Sequence, residues 1–244
     1  MEQNATNMRP PCALELWAVS GCGKDRARAG GGVSRERWLL EDIASATRAY
    51  ARVCGATYPQ AMLRDARADT GPSEHTELYP GTADSKAGAA LVLALDAGLL
   101  QNPTDIKEMF AKDLTAVGAP ERSINVYAVV LDDSYDTPST DTEEIFGALC
   151  DETRTRWSGG MVVAAAAALP HLFRSPRMGL WRRQMSEATD RLVAAIRMGA
   201  TLTEAAWLMT GEPGPSMLIT RPAIPKFVYR HIGKTLKVVD IAAE

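Results

Sequence analysis

Short apolar runs alternate along this chain with longer segments whose apolar residues recur every three or four positions. The clearest runs are ALELWAVS at 13–20, AALVLAL at 89–95 and INVYAVVL at 124–131. Each run has the length of a buried strand, and the segments between them have the periodicity of helices that cover a sheet. Strands and helices that alternate in this way predict βαβ units, and therefore a parallel sheet with helices on both faces.

Polar residues mark where the helices begin. Ser34 precedes apolar positions spaced by three and four residues, so we expect a helix over about 34–53 capped by the Ser34 hydroxyl. Asn102 and Pro103 form an N-cap and first-turn pair for a second helix. Further helices are predicted to begin near Thr140, which has capping-box spacing to Glu143, to run from about 176 to 198, and to begin near Pro222.

Two more strands are less sharply bounded. Residues 57–65 contain Pro59, which confines such a strand to a sheet edge or moves its start later. The run at 159–169, GGMVVAAAAAL, predicts a fifth strand, with a buried helix start as the alternative. Residues 69–85 have the composition of a loop, either a lid or an insertion. The whole pattern predicts an α/β domain with a doubly wound five-stranded parallel sheet, whose ligand site lies where the winding reverses.

The composition is that of a globular protein. With 244 residues, of which 46% are apolar and 23% charged, the chain can build one substantial core. We expect a disordered segment at 1–12 and one domain at 13–244 that ends in a helical extension. The net charge of -3 and the scattered basic residues argue against a nucleic-acid partner. No signal-peptide core or bilayer-length apolar stretch is present in the sequence, so we expect a cytoplasmic protein without membrane contact.

The cysteines give no sign of a metal site or a disulfide framework. They are far apart and form no CxxC pair, which fits free thiols in a reducing compartment. Cys22 lies in a Gly-rich basic loop, where a lowered pKa would make it nucleophilic; an unreactive thiol is the alternative. The four residues are Cys12, Cys22, Cys54 and Cys150.

The loop after the first strand, SGCGKDRARAGGGVS at 20–34, satisfies no complete phosphate motif. Ala18 and Asp25 stand where a Walker A loop needs Gly and a hydroxyl, and Arg26 replaces the third Gly of a Rossmann fingerprint. Exposed N–H groups beside Lys24 can still hold a phosphate, although a solvated surface loop fits equally well. A P-loop phosphotransferase would depend on GCGK alone.

Acidic residues follow two of the predicted strands. Asp96, Asp132 and Asp133 stand at strand ends, where general acid–base pairs or a magnesium site are built. Asp at a strand end also satisfies turn N–H groups, which is the commoner role. His171 follows the fifth predicted strand, as an acid–base residue or as a structural turn residue.

Four segments carry a family resemblance. They are AGAALVLALDAGLLQNPTDIKEMFAKDL, INVYAVVLDDSY, ALCDETRTRWSGGM and RPAIPKFVYRHIGKTLK. Together with the first strand, they resemble the flavodoxin-like NAD(P)H-dependent FMN reductase and oxidoreductase family. The first three are similar to its third strand, fourth strand and Gly-Gly entry to the fifth strand, each with the adjoining loop or helix. The fourth resembles a C-terminal helix found in one branch.

The resemblance implies a flavodoxin-like fold with FMN held by three loops after strands. The first loop would bind the phosphate, the second would lie along the ribityl chain and ring, and the third beside the isoalloxazine. The second loop departs from the family's Pro-x-Tyr pattern, which puts a carboxylate in its place. The residues implied are Ser20, Gly21, Cys22, Gly23, Lys24 and Ser34, then Asp96, Ala97, Gly98 and Leu99, then Asp132, Asp133, Ser134 and Tyr135.

The activity implied by the resemblance is an FMN-dependent NAD(P)H oxidoreductase that passes electrons to a small organic acceptor. Such a protein positions its flavin and needs no side-chain nucleophile. The resemblance also implies a homodimer. No metal site is predicted. The acidic second and third loops leave an alternative open, a flavin-free member that serves as a partner or a non-redox biosynthetic protein.

Overall fold

The structure is a computed structural model that describes residues 11, 13–20, 34–56, 58–67, 74–79, 88–116, 124–136, 141–173 and 175–231. The predicted disordered segment at 1–12 therefore lies outside the described residues, apart from Pro11. The strands are β1 (Ala13–Ser20), β2 (Gln60–Arg67), β3 (Glu74–Tyr79), β4 (Ala89–Asp96), β5 (Ile124–Asp132), β6 (Arg156–Ala164) and β7 (Met217–Thr220). The helices are α1 (Arg35–Val53), α2 (Pro103–Ala116), α3 (Thr142–Thr153), α4 (Arg183–Met198) and α5 (Leu202–Thr210). Two 3₁₀ segments cover Ala97–Gln101 and Ala166–Leu172, and residues 226–231 are also helical.

The strands form one sheet in the order β3-β2-β1-β4-β5-β6-β7. Six of them are parallel, and β3 pairs antiparallel with β2 at one edge. The prediction of five strands is wrong, because β3 and β7 extend the sheet at its two edges. The winding reverses between β1 and β4, which is where ligands bind in open sheets of this kind.

Side chains that alternate along the strands fill two cores on opposite faces of the sheet, which confirms the predicted helices on both faces. One core joins the sheet to α1, α4 and α5, and the other joins it to α2 and α3. Because β4 and β5 are buried on both faces, their sequences are continuously apolar. The largest fully buried side chains include Trp17, Tyr127, Phe110 and Phe146.

Three predicted boundaries differ from the structure. The predicted loop at 69–85 contains β3, which is held by main-chain pairing with β2 rather than by a favourable composition. The strand expected at 159–169 begins earlier, at Arg156, and ends before Ala165, whose φ of 55° turns the chain away. The helix expected from 176 begins only at Arg183, because successive turns occupy the preceding residues.

Two helix starts bear on capping boxes. Thr140, where one was predicted, lies outside the described residues; α3 has Asp141 at its N-cap without a side-chain capping bond, and the Glu143 carboxylate accepts a hydrogen bond from the Ser216 hydroxyl at 2.7 Å. The sequence carries another at α5, which we did not predict. There the Glu204 N–H donates to the Thr201 hydroxyl at 3.1 Å, and the Thr201 N–H donates to the Glu204 carboxylate at 2.8 Å.

The remaining expectations concern β2 and the helices. Pro59 predicted either an edge strand or a later strand start. β2 starts later, after Pro59, and lies inside the sheet. The last helical segment starts at residue 226 and not near Pro222. No single helix in the described part of the chain is long and apolar enough to cross a membrane. Taken together, α4 and α5 have the required length and composition, but they are bent by 98° relative to each other.

Candidate functional site

The carboxyl ends of β1, β4 and β5 lie side by side where the winding of the sheet reverses. An open groove of about 400 Å³ lies there, between the segments that follow β4 and β5. We call it the acidic groove, because four carboxylates line it beside the apolar Leu100 and Ile145. The four are Asp96, Asp132, Asp133 and Asp141.

Arg35, the first residue of α1, supplies a positive charge beside this groove. Its guanidinium spans two strand ends, with Nη2 2.9 Å from the Asp96 Oδ2 and Nη1 2.6 Å from the Asp133 Oδ1. Burial works against the charged guanidinium, but the neighbouring charges of Asp133, Glu36 and Asp96 outweigh it and raise the pKa of Arg35. Arg35 therefore stays charged and ties α1 to both loops.

Asp96 and Asp132 also shape the backbone of their loops. The Gly98 N–H donates to the Asp96 Oδ1 at 2.8 Å, and the Ser134 N–H donates to the Asp132 Oδ1 at 2.7 Å. Each carboxylate thus accepts a hydrogen bond from the backbone N–H two residues later and stabilises the turn, which is a structural role that Asp often takes at a strand end. Among the residues that the structure describes, no group of three or more His, Cys, Asp or Glu side chains could hold a metal ion.

The start of α1 places a second carboxyl group beside Arg35. Ser34 caps the helix as predicted and accepts a hydrogen bond from the Arg37 N–H at 3.2 Å. Burial raises the pKa of Glu36, and its hydrogen bonds and the charge of Arg35 only partly offset this. The ionised form of Glu36 is therefore less favourable in the folded protein than in the unfolded chain.

We expect Glu36→Gln to stabilise the protein at neutral pH more than at pH 4. Because the folded pKa lies above the unfolded one, wild type carries no penalty below the unfolded pKa and a growing penalty as the pH rises through the folded value. Urea denaturation of both proteins at pH 4 and pH 7 measures this difference. Glu108→Gln, the same substitution at an exposed position on α2, is the control. An equal effect of Glu36→Gln at both pH values would contradict the burial argument.

The loop after β5 is covered by the segment that contains Ile224 and Tyr229. The Tyr135 hydroxyl donates to the Ile224 carbonyl at 2.8 Å, and the Tyr229 hydroxyl donates to the Asp133 carbonyl. The two rings lie 5.4 Å apart. Burial, followed by the negative charges of Asp133 and Asp132, raises the pKa of Tyr229 to about 12, so this hydroxyl keeps its proton at neutral pH.

The predicted site residues fall into three groups. Gly21, Cys22, Gly23 and Lys24 lie outside the described residues, and Ser20 ends β1. The groove is lined by Asp96, Ala97, Gly98, Asp132 and Asp133. Leu99 packs against the α2–α3 core, Ser134 accepts a main-chain bond from Ala165, and Tyr135 faces a different cavity.

Three residues at the edge of the sheet where the groove lies were not predicted from the sequence. Arg35 and Glu36 belong to the motif SRE, which in the sequence indicates only a helix start, and Asp141 belongs to a turn. His171 is exposed in a 3₁₀ segment and does not line the groove. No protein-family model, curated protein or solved structure matches this chain.

Proposed function

We propose that this protein is a flavodoxin-like, FMN-dependent NAD(P)H oxidoreductase acting on a small organic acceptor. The observation that supports this proposal is the acidic groove between the loops that follow β4 and β5, at the reversal of winding. If β3 and β7 are set aside, the strand order is that of flavodoxin-like sheets, which bind FMN at this reversal. The proposal includes the homodimer, for which Trp207, Leu208 and Met209 of α5 provide an exposed apolar surface.

The volume and the lining of the groove support a small-molecule ligand such as the ring of FMN. A volume of about 400 Å³ lies within the range of small-molecule sites, and Ala97 and Gly98 allow close approach to the backbone. The oxidised ring carries no charge, so the carboxylates do not repel it, and Arg35 compensates two of them. The residues expected to hold the phosphate, Gly21 to Lys24, lie outside the described residues.

The described residues would position the ring and tune its electronics. Asp96 and Asp132 fix the two loops that form the walls, and Arg35 holds these walls together. Bound FMN supplies hydride acceptance and electron transfer. The carboxylates of Asp132 and Asp133 oppose negative charge in the groove, so they would make the reduced cofactor a stronger reductant.

A second candidate is favoured by the charge of the groove. Among the described residues, four carboxylates line the groove and the Arg35 guanidinium pairs with two of them, and a lining rich in carboxylates suits a cationic or hydroxyl-rich ligand better than an anionic one. On this alternative, the chain keeps the fold without flavin and acts as a partner or non-redox biosynthetic protein.

The first experiment is an absorption titration with FMN, followed by desalting and then by assays with NADH and NADPH. We expect flavin bands to remain with the protein and nicotinamide oxidation to follow. Ala97→Trp should fill the groove and weaken FMN binding at least tenfold, whereas Ala111→Trp, at an exposed position on α2, should not. A colourless wild-type protein after desalting would refute the flavin proposal and favour the second candidate.

A further inference from the structure

β7 ends the sheet on one side and has an open edge. Among the described residues it pairs only with β6, in parallel register from Met217 to Thr220. The Gly160 N–H donates to the Ser216 carbonyl, so the alternation of a strand turns the main-chain groups of Met217 and Ile219 away from β6. This open edge, which we call the β7 edge, therefore offers N–H and C=O groups to a further strand.

The sequence of β7 lacks the features that usually protect an open edge. The strand reads MLIT and contains no charged residue, and Ile219 is 63% exposed. Met217 packs against the α2–α3 core and Leu218 belongs to the opposite core, so the alternation of side chains places Ile219 on the α2–α3 face. Proteins that keep such an edge free usually place charges or a bulge on it. The β7 edge is therefore suited to pairing with another strand.

Opposite charges lie at the two ends of β7. At its start, the Glu143 carboxylate accepts a hydrogen bond from the Ser216 hydroxyl at 2.7 Å. After its end, Arg221 is exposed, and its guanidinium lies 4.9 Å from the centre of the Tyr135 ring. Neither Glu143 nor Arg221 forms an ion pair within the described part of the chain. In an antiparallel pair the start of one strand lies opposite the end of the other, so two copies of this edge bring opposite charges together.

The helix that precedes β7 adds apolar area on the same side of the molecule. Gly214 lies in the segment that enters β7, and a Cβ atom there would be 2.5 Å from the Ala206 Cβ of α5. Stable interfaces bury about 800 Å² on each partner, which is more than a strand of four residues provides. The exposed side chains of α5 can supply further area, and they are Trp207, Leu208 and Met209.

We propose that the β7 edge pairs with the same edge of a second copy of this chain. The two strands run antiparallel about a two-fold axis, and the sheet continues from one copy into the other. In the register centred on Ile219, Met217 of each copy lies opposite Arg221 of the other, which gives about six main-chain hydrogen bonds. Glu143 of each copy then lies beside Arg221 of the other. The inference rests on the homodimer of the proposed function and does not depend on its flavin.

Sedimentation equilibrium of the full chain tests this interface, with Ile219→Lys as the first variant. The substitution places two like charges opposite each other at the centre of the interface, so we expect the dissociation constant of the dimer to rise at least about tenfold. Because Ile219 is exposed, the variant should keep the circular dichroism spectrum of wild type. The matched control is Val53→Lys, at an exposed apolar position at the end of α1, which should dimerise as wild type does.

Exchange of the two charges tests the antiparallel arrangement. Glu143→Arg and Arg221→Glu each bring like charges together across the two-fold axis, so each should raise the dissociation constant severalfold. The double variant restores opposite charges and should recover much of the affinity. Such recovery requires Glu143 of one copy to lie near Arg221 of the other, which a parallel pair of strands does not provide.

The outcomes separate this proposal from the flavin proposal. A wild-type protein that stays monomeric at every concentration measured overturns the pairing and leaves the β7 edge to a peptide strand of another protein. A dimer that survives Ile219→Lys and both charge reversals also overturns the pairing, but it leaves the homodimer of the proposed function intact. Ile219, Glu143 and Arg221 do not line the acidic groove, so the FMN titration of these variants should match that of wild type. A failure of the flavin proposal is therefore recognised independently of the oligomeric state.

Discussion

Gly160→Ala should destabilise the protein by about 3 kcal/mol or more, which is a large share of the free energy of unfolding of an ordinary domain. Gly160 lies in β6 and pairs with Ala128 of β5 and Met217 of β7. A Cβ atom at this position would overlap the carbonyl group of Ala128. Because the sheet continues on both sides, neither strand can move away without breaking ladder hydrogen bonds.

Gly147→Ala is the matched control for this prediction. Gly147 lies in α3, where an added Cβ would contact nothing within 4 Å. The same substitution there should stabilise the protein by about 0.5–1 kcal/mol, since Ala favours the helix over the unfolded chain. Urea denaturation of both variants measures the contrast. If the free energy of unfolding of Gly160→Ala lay within 1 kcal/mol of that of wild type, the argument that a Cβ atom cannot fit between the strands would be wrong.

The adjoining Gly159 explains why the pair of glycines occurs here. Its φ of +104° is a conformation that side chains rarely adopt, and a Cβ would lie 2.5 Å from the Ser216 carbonyl oxygen. The two glycines thus bring the chain before β7 close to β6. They therefore set the position of β7 at the edge of the sheet.

The sequence predicted the elements that are longest and most deeply buried. β4 and β5 are covered on both faces, so their apolar runs are continuous and easy to recognise. β3 and β7 escaped prediction because they are short edge strands held by main-chain pairing with a single neighbour. Hydrophobic periodicity carries little information about such strands.

The candidate site was predictable to the extent that it depends on strand ends. Asp96 and Asp132 could be assigned to one edge because the carboxyl ends of parallel strands lie together. The bridge made by Arg35 could not, since it requires the relative positions of α1, β4 and β5.

Arg182→Ala should cost about 3 kcal/mol of stability, because it removes the buried cation that joins α1 to the chain before α4. The Arg182 side chain is 6% exposed, with Nη2 3.1 Å from the Asp42 Oδ1. Its guanidinium lies 4.4 Å from the centre of the Trp38 ring and donates to the Ser175 carbonyl at 3.1 Å. Without Arg182, the ion-pair partner that Asp42 retains among the described residues is Arg177, whose Nε is 3.6 Å away.

Two variants test what the charge, the shape and the burial of Arg182 contribute. Arg182→Lys keeps the charge but loses the planar guanidinium, which stacks on the Trp38 ring and donates hydrogen bonds. It should therefore recover only part of the stability. Arg183→Ala removes an exposed cation paired with Glu187 and should cost less than 1 kcal/mol in the same denaturation experiment. Equal losses for Arg182→Ala and Arg183→Ala would contradict the burial argument.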